Sequence, residues 1–331
     1  MTRVAVLGAG RIGQIHAANV AAHPRATLVA VSDAIPAAAE SLAAWLGVEA
    51  TTDTLGLIRR PDIDAVIIGT PSDTHVELML AAARAGRAIL CEKPLDNDLA
   101  KADAAVVELE RLGARAMLGF NRRFDPSNIA LRRAIDAGQI GEVRQVLITS
   151  RDPALAPRAY LEHSGGIFRD MIIHDFDMAR FLLGDEPVEV WATASRLVEP
   201  ELMAAIGDHD TVMVVLRTRS GVQCLINGTR QAAYGYDQRF EVHGSRGMLL
   251  NDNLRPTTLR RYGADVTEAR PPLLDFFVER YADAYRNELD AFLTAVESNG
   301  PMPTTPRDGR AALRLAVAAI ESVETGRIVS V

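Results

Sequence analysis

Three side chains in this chain are of types that move protons beside a reacting carbon: Lys93 in Cys91-Glu92-Lys93-Pro94, and Asp170 and His174 in the run GGIFRDMIIHDFD that spans 165 to 177. An imidazole titrates at about pH 6.5, so it can take a hydroxyl proton near neutrality. Residues four apart on a helix share a face, so the Asp170 carboxylate and the His174 imidazole are expected to point into one cleft, the carboxylate orienting the ring. Read for structure alone, Asp170 is a helix N-terminal charge and His174 a core histidine. Asp175 and Asp177 are read as caps or salt bridges, and the bland reading of Lys93 is a solvated surface lysine.

A proton-transfer set of this kind needs something to take the electrons. Gly8-Ala9-Gly10-Arg11-Ile12-Gly13 is a GxGxxG placed directly after an apolar run and at the start of a helical one. Gly8 permits the tight turn, Gly10 lets backbone approach a pyrophosphate, and Gly13 allows close packing of helix on strand, with free N–H groups at the helix start, including those of Arg11 and Ile12, for the phosphates. Asp33 ends the next strand twenty residues after Gly13. A carboxylate there accepts from the adenosine ribose hydroxyls and repels a 2′-phosphate, which points to NAD rather than NADP; its alternative reading is a helix cap. No metal is expected, because the two cysteines, Cys91 and Cys224, make no cluster with histidine.

These groups need a scaffold, and the hydrophobic pattern supplies one. Short β-branched or apolar runs at 3 to 8, 27 to 32, 65 to 69, 87 to 91 and 115 to 119 alternate with helical stretches at 11 to 22, 36 to 47, 74 to 85 and 98 to 112. Strands apolar almost throughout, each followed by a helix, predict an α/β, Rossmann-type doubly wound parallel sheet over 1 to 120. Lys93 then stands at the carboxyl edge of that sheet, where ligands of such folds bind. From 121 to 331 the pattern changes to a helix near 126 to 137 and strands at 142 to 150, 188 to 198, 210 to 219, 221 to 230, 238 to 244 and 246 to 250. Strands in succession predict an α+β domain with one open, mainly antiparallel sheet. Two helices, near 274 to 298 and 307 to 325, close the chain, the last expected to pack back on the first domain.

Composition removes several classes of function. Of 331 residues, 36 are Lys or Arg and 43 Asp or Glu, a net charge of −7 with no basic block, so nothing marks a nucleic acid or an anionic membrane as partner. No apolar run reaches membrane-spanning length, and the start of the chain passes straight into a strand pattern without a secretory signal. With so few cysteines, a cytoplasmic protein with a small soluble substrate is the expectation.

Glu92-Lys93-Pro94, with Gly69-Thr70-Pro71 and His75 upstream and the Asp170-x-x-x-His174 spacing, resembles the signature of the Gfo/Idh/MocA dehydrogenases. The resemblance implies that Lys93 faces both nicotinamide and substrate hydroxyl, that Asp170 and His174 surround the reacting carbon, and that Thr70, Pro71, His75 and Glu92 belong to the cofactor site. GFNRRFDP from 119, TSRDP from 149 and YGYDQR from 234 further resemble the inositol 2-dehydrogenase branch. That likeness, which runs over the full length, implies oxidation of a ring hydroxyl of myo-inositol to the 2-keto-inositol (scyllo-inosose). It also implies that Arg123, with Asn121 and Arg122, reaches the place where substrate meets nicotinamide, and that Asp152 binds a ring hydroxyl. Family members commonly form tetramers through the second-domain sheet, so a homotetramer is expected. Scyllo-inositol, another cyclitol or an aldose is the alternative substrate, and a catalytically silent NAD-binding sensor is the alternative class, against which the intact Lys93, Asp170 and His174 speak. A purely structural interaction protein has little behind it. His163 is left out of the catalytic set, and Tyr281 and Tyr285 are read as either pocket-bordering or helix-packing.

Overall fold

A computed structural model describes residues 1–331. They form two compact units, Met1–Phe124 with Ala284–Leu313, and Asp125–Asp283 with Arg314–Val331.

Unit 1 begins with β1 (Thr2–Leu7), α1 (Arg11–Ala22), β2 (Ala26–Ser32), α2 (Pro36–Leu46), β3 (Glu49–Thr51) and α3 (Thr54–Arg59). It continues through β4 (Ala65–Ile68), α4 (His75–Arg84), β5 (Ala88–Glu92), α5 (Leu99–Arg111) and β6 (Ala116–Gly119). The six strands are all parallel, in the order β3-β2-β1-β4-β5-β6. β4, β5 and β6 are buried at every position, because both faces of the sheet are covered. The doubly wound expectation holds, while β3 and α3 went unseen in the sequence. Three residues of Glu-Ala-Thr carry too little pattern for a strand, and α3 is short and starts on the Asp53 side chain, which accepts from Gly56 N at 2.7 Å.

Unit 2 opens with α6 (Pro126–Asp136), β7 (Val143–Arg151), α7 (Arg158–Leu161), α8 (Ile167–Asp170) and α9 (Ile173–Leu183). Then follow β8 (Pro187–Ser195), α10 (Pro200–Ala205), β9 (Thr211–Thr218), β10 (Gln223–Thr229), β11 (Asp237–Gly244), β12 (Gly247–Asn251) and α11 (Phe277–Arg280). With β13 (Val329–Ser330) these make a seven-stranded open sheet, β12-β11-β7-β10-β9-β8-β13, antiparallel except where β10 lies parallel to β7. In β9, Val212, Val214 and Leu216 are buried and alternate with more exposed residues, so one face is core and the other is not. α9 packs against β7 and β10 on the core side.

The closing helices are α12 (Ala282–Ser298) and α13 (Pro306–Thr325). The single helix expected from 274 is α11 and α12 instead, and α12 rather than only the last helix supplies the core of unit 1. Its Leu289, Phe292 and Leu293, at helical spacing, join Val4, Val6, Leu90 and Met117 in one buried cluster. Truncating Phe292→Ala should therefore cost about 3–5 kcal/mol of stability, as large-to-small core changes do, measured by equilibrium denaturation. A loss under about 1 kcal/mol would take α12 out of this core.

Candidate functional site

The first turn of unit 1 is built by contact. Gly8 has φ +99°, where other residues are strained, and a Cβ on it would lie 2.6 Å from Gly69 O of the β4 edge. A Cβ on Gly13 would lie 1.9 Å from Gly8 O, so α1 packs directly on the turn. Gly10 faces open space. It is also the N-cap of α1, with no side-chain cap and no acidic residue in the first turn, so the N–H groups and positive end of the helix dipole remain for an anion. Asp33 holds this loop: one carboxylate oxygen accepts from Ala9 N at 2.7 Å and the other from Ile35 N at 2.8 Å. Each oxygen keeps a lone pair for a ribose hydroxyl, so the cap and the cofactor readings of Asp33 coexist. An uncapped helix start, an open glycine and an adjacent carboxylate fit the pyrophosphate and adenosine ribose of NAD.

The remaining elements of unit 1 bring the other predicted cofactor residues to the same edge. The Thr70 hydroxyl lies 2.6 Å from that of Thr74, which donates to Pro71 O. His75 opens α4, with Nδ1 2.7 Å from Pro94 O and Nε2 2.9 Å from Thr70 O. The buried ring thus ties the Gly69-Thr70-Pro71 turn to the loop that carries Lys93, and the Lys93-Pro94 peptide is cis. Glu92 at the end of β5 is buried and bonded to His16 Nε2 at 2.8 Å. Lys93 itself is partly exposed. Asn121 and Arg122 are buried in the turn after β6. Arg123 pairs with Asp308 at 3.1 Å. Asp125 caps α6 and binds Arg280 at 2.6 Å inside unit 2.

In unit 2 the expected single helix through Asp170 and His174 is broken. Asp170 is the last residue of α8 and His174 lies in the first turn of α9, so helix geometry does not set their relation. Asp170 is held by neighbours the sequence reading missed. One oxygen accepts from the Tyr160 hydroxyl at 2.7 Å and the other from Arg230 at 3.3 Å. Arg230, almost fully buried, also reaches Asp208 at 3.4 Å. Asp208 in turn accepts from Ile167 N at 2.9 Å and lies against Gly166, whose φ of +85° and 3.0 Å clearance to Asp208 Oδ1 leave no room for a side chain. Partial burial of its hydroxyl and the charge and hydrogen bond of Asp170 push the Tyr160 phenol well above its ordinary range, with Asp152 adding to the effect and Arg230 opposing it. Asp152 thus belongs to the same electrostatic neighbourhood. Asp177 pairs with Arg180 at 3.6 Å, as a structural role requires. His163 is exposed, while Tyr281, Tyr285 and Tyr236 are buried in packing. A surface groove of about 700 Å³ bordered by Tyr234, Arg239 and Arg255 contains none of the predicted site residues.

Residues 2–120 match the oxidoreductase family with an NAD-binding Rossmann fold, and residues 129–250 match the GFO/IDH/MocA C-terminal domain. The chain belongs to the Gfo/Idh/MocA oxidoreductase family. It is 51% identical over 329 residues, 99% of both chains, to an inositol 2-dehydrogenase of Rhizobium meliloti. A myo-inositol dehydrogenase structure from Corynebacterium glutamicum matches with a TM-score of 0.96 at 44% identity, covering 100% of this chain and 99% of the other. A Lactobacillus casei myo-inositol dehydrogenase in complex with NAD(H) and myo-inositol matches with a TM-score of 0.89 at 27% identity, over 100% and 97% of the two chains. Membership of an NAD-binding family agrees with the glycine turn and Asp33. No helix is long and apolar enough to cross a membrane.

Tyr160, Arg230 and Asp208 carry no recognisable motif. The one sequence signal that points to them is the Gly165-Gly166 pair, which announces a close approach without naming the partner. Asp33 gives the direct test of the cofactor site. Asp33→Ala should weaken NAD binding by about tenfold to a hundredfold, the worth of hydrogen bonds to a charged group, and narrow the preference over NADP. Fluorescence titration of both cofactors measures it; unchanged affinities would leave Asp33 only its loop-holding role.

Proposed function

We propose that this family member is an NAD-dependent inositol 2-dehydrogenase that oxidises a ring secondary alcohol of myo-inositol to scyllo-inosose. The observation that carries the reading is the full-length likeness to a protein of that name on a chain that keeps Lys93, Asp170 and His174. Gly8, Gly10, Arg11, Ile12, Gly13 and Asp33 hold the dinucleotide, and Arg122, Thr70, Pro71 and Lys93 complete its site. His75 acts by fastening the two loops that carry those residues, and Glu92 by tying the end of β5 to His16 of α1. NAD, when bound, supplies the acceptor for the hydride that leaves the carbinol carbon. His174 takes the proton from the hydroxyl, and Lys93 donates a hydrogen bond to the oxygen as charge develops on it. Asp170, anchored by Tyr160 and Arg230, orients His174 and favours its cationic form. Asn121, Arg123 and Asp152 bind the remaining ring hydroxyls. Unit 1 is the NAD-binding domain of this reading and unit 2 the domain for substrate and assembly.

The exposed face of the seven-stranded sheet supports a homotetramer. Trp191, Val215, Leu225 and Leu147 follow one another in register across four strands, and Met213, Met248 and Leu250 lie on the same face. Trp191 is 42% exposed and Met213 53%, and the apolar patch they share with Val215, Leu225 and Leu147, separated by Glu241 of β11 from Leu250 at 55%, is one that a second copy would cover. Two free, buried cysteines suit the reducing cytoplasm.

Absorbance of reduced nicotinamide in a panel of myo-inositol, scyllo-inositol, chiro-inositol, glucose and xylose tests the substrate. Fastest NAD reduction with myo-inositol is the expected result, and preference for another polyol would move the substrate while keeping the chemistry. Lys93→Met and His174→Ala should each keep NAD binding and lose about a hundredfold to ten-thousandfold in kcat, the usual contribution of acid–base groups. Near-normal turnover would remove that residue from the scheme. For the assembly, light scattering should give about four times the mass of the chain, and Met213→Asp should lower it; a monomeric parent protein would refute the tetramer.

A further inference from the structure

Three ionisable side chains meet inside unit 1: His16 on α1, Glu92 at the end of β5 and Glu288 on α12. Glu288 is fully buried, with His16 and Glu92 nearly so, and one nitrogen or oxygen of each lies within 4.8 Å of the others. Glu92 Oε1 is 2.8 Å from His16 Nε2, so a ring carrying its proton on Nε2 donates to Glu92. Neither oxygen of Glu288 receives a hydrogen bond from any donor of the protein. Two carboxylates this close, away from water, cannot both hold a negative charge. Burial and the neighbouring Glu92 charge together hold the Glu288 carboxyl well above the ordinary glutamate range. The other titratable groups at the cluster are the Cys91 thiol, itself pushed up by burial and by Glu92, and the Tyr285 ring, edge-on to His16 at 5.6 Å. Neither supplies a positive charge, and the imidazole that could, His16, is engaged with Glu92.

We propose that Glu288 is a neutral carboxylic acid in the folded protein, that it gives its proton as a hydrogen bond to the Glu92 carboxylate, and that with His16 it fixes the strand end from which Lys93 projects. Glu288 and His16 are then positioning residues. Their bearing on turnover rests on the role given to Lys93 above, whereas the shared proton does not. A divalent cation bound by the same three side chains would also balance the two carboxylates and is the competing occupant.

The folded chain would keep a proton that the unfolded chain releases above about pH 4.3, the ordinary glutamate value. Stability from this group is then present in full below that pH and falls as pH rises, the folding equilibrium constant losing about tenfold per pH unit until the cluster ionises. Glu288→Gln keeps a neutral donor toward Glu92 and has no proton to lose. The ratio of its folding constant to that of the parent chain should climb about tenfold per unit from about pH 5 upward, measured by denaturant titration of the full chain. The infrared carbonyl band of a protonated carboxylic acid should disappear in the same variant. A flat ratio with an unchanged band overturns the shared proton, as does one tightly held equivalent of divalent metal in the purified parent chain. For positioning, Glu288→Met should lower kcat about tenfold to a hundredfold with NAD affinity kept, and Glu288→Gln should recover most of the loss. Full turnover in Glu288→Met overturns the positioning role. Because the stability and infrared measurements involve no turnover, a failure of the Lys93 assignment is distinguishable from a failure of this one.

Discussion

Gly13 lies against the Gly8 carbonyl because nothing larger fits, and the architecture of unit 1 depends on that contact. With a Cβ 1.9 Å from that oxygen, α1 would have to lift off the turn. Because it does not, the helix starts directly beyond β1 with its first N–H groups uncapped, Gly8 rests on Gly69 at the end of β4, and Asp33 from the end of β2 reaches Ala9 N. The order β3-β2-β1-β4-β5-β6 reverses direction between β1 and β4, so three strand ends converge where the sheet leaves a crevice. One steric constraint thus sets the uncapped start of α1, the place of the Asp33 carboxylate and the edge from which the later loops extend.

The two units balance their buried charges differently. Unit 2 uses arginine: Arg230 lies between Asp170 and Asp208, and Arg280 pairs with Asp125. A guanidinium stays charged at every working pH and presents a planar set of donors, so these pairs hold their geometry across the range in which the protein operates. The pairs are compulsory once the carboxylates are buried, since a lone charge in such a place would be far more costly than the pair is beneficial. Unit 1 places His16, Glu92 and Glu288 together without any arginine, leaving a proton to do what the guanidinium does elsewhere. On that proposal this cluster is where the interior of unit 1 responds to pH.

What the amino-acid pattern made legible follows from local rules. GxGxxG, a carboxylate at the next strand end and apolar strands alternating with helices each depend on neighbours close in sequence, and the parallel sheet with its glycine turn was read from them. The packing partners were not. Glu288 joins His16 and Glu92 across most of the chain, and the α12 register that buries it beside Leu289 and Phe292 looks on paper like an ordinary amphipathic helix with one charge in its apolar stripe. Arg123 was assigned toward the cleft, and its partner Asp308 lies 185 positions away. The helix through Asp170 was misjudged because Met171-Ile172-Ile173 is helix-compatible in composition, whereas the chain turns there to bury all three side chains. Periodicity reports which residues want a core and is silent about which core receives them.

That break between α8 and α9 explains why unit 2 needs its unusual parallel pair. In a continuous helix the turn itself would hold Asp170 and His174 in relation; with α8 ending at Asp170, its carboxylate must be held from outside. β10 runs beside β7 in the same direction, with Thr229 opposite Arg151, so the residues that follow, Arg230 and Asp152, leave the sheet together at one edge. Asp152 N donates to Thr229 O at 3.0 Å, which locks that exit. Arg230 then reaches Asp170 and Asp208 from the edge, and Tyr160, on the segment that leaves β7, closes on Asp170 from the other side. An antiparallel β10 would have sent its last residue to the far edge of the sheet and left Asp170 buried with no cation. The strand pairing that departs from the simplest reading of the sequence is the one that anchors the carboxylate of the predicted proton-transfer pair.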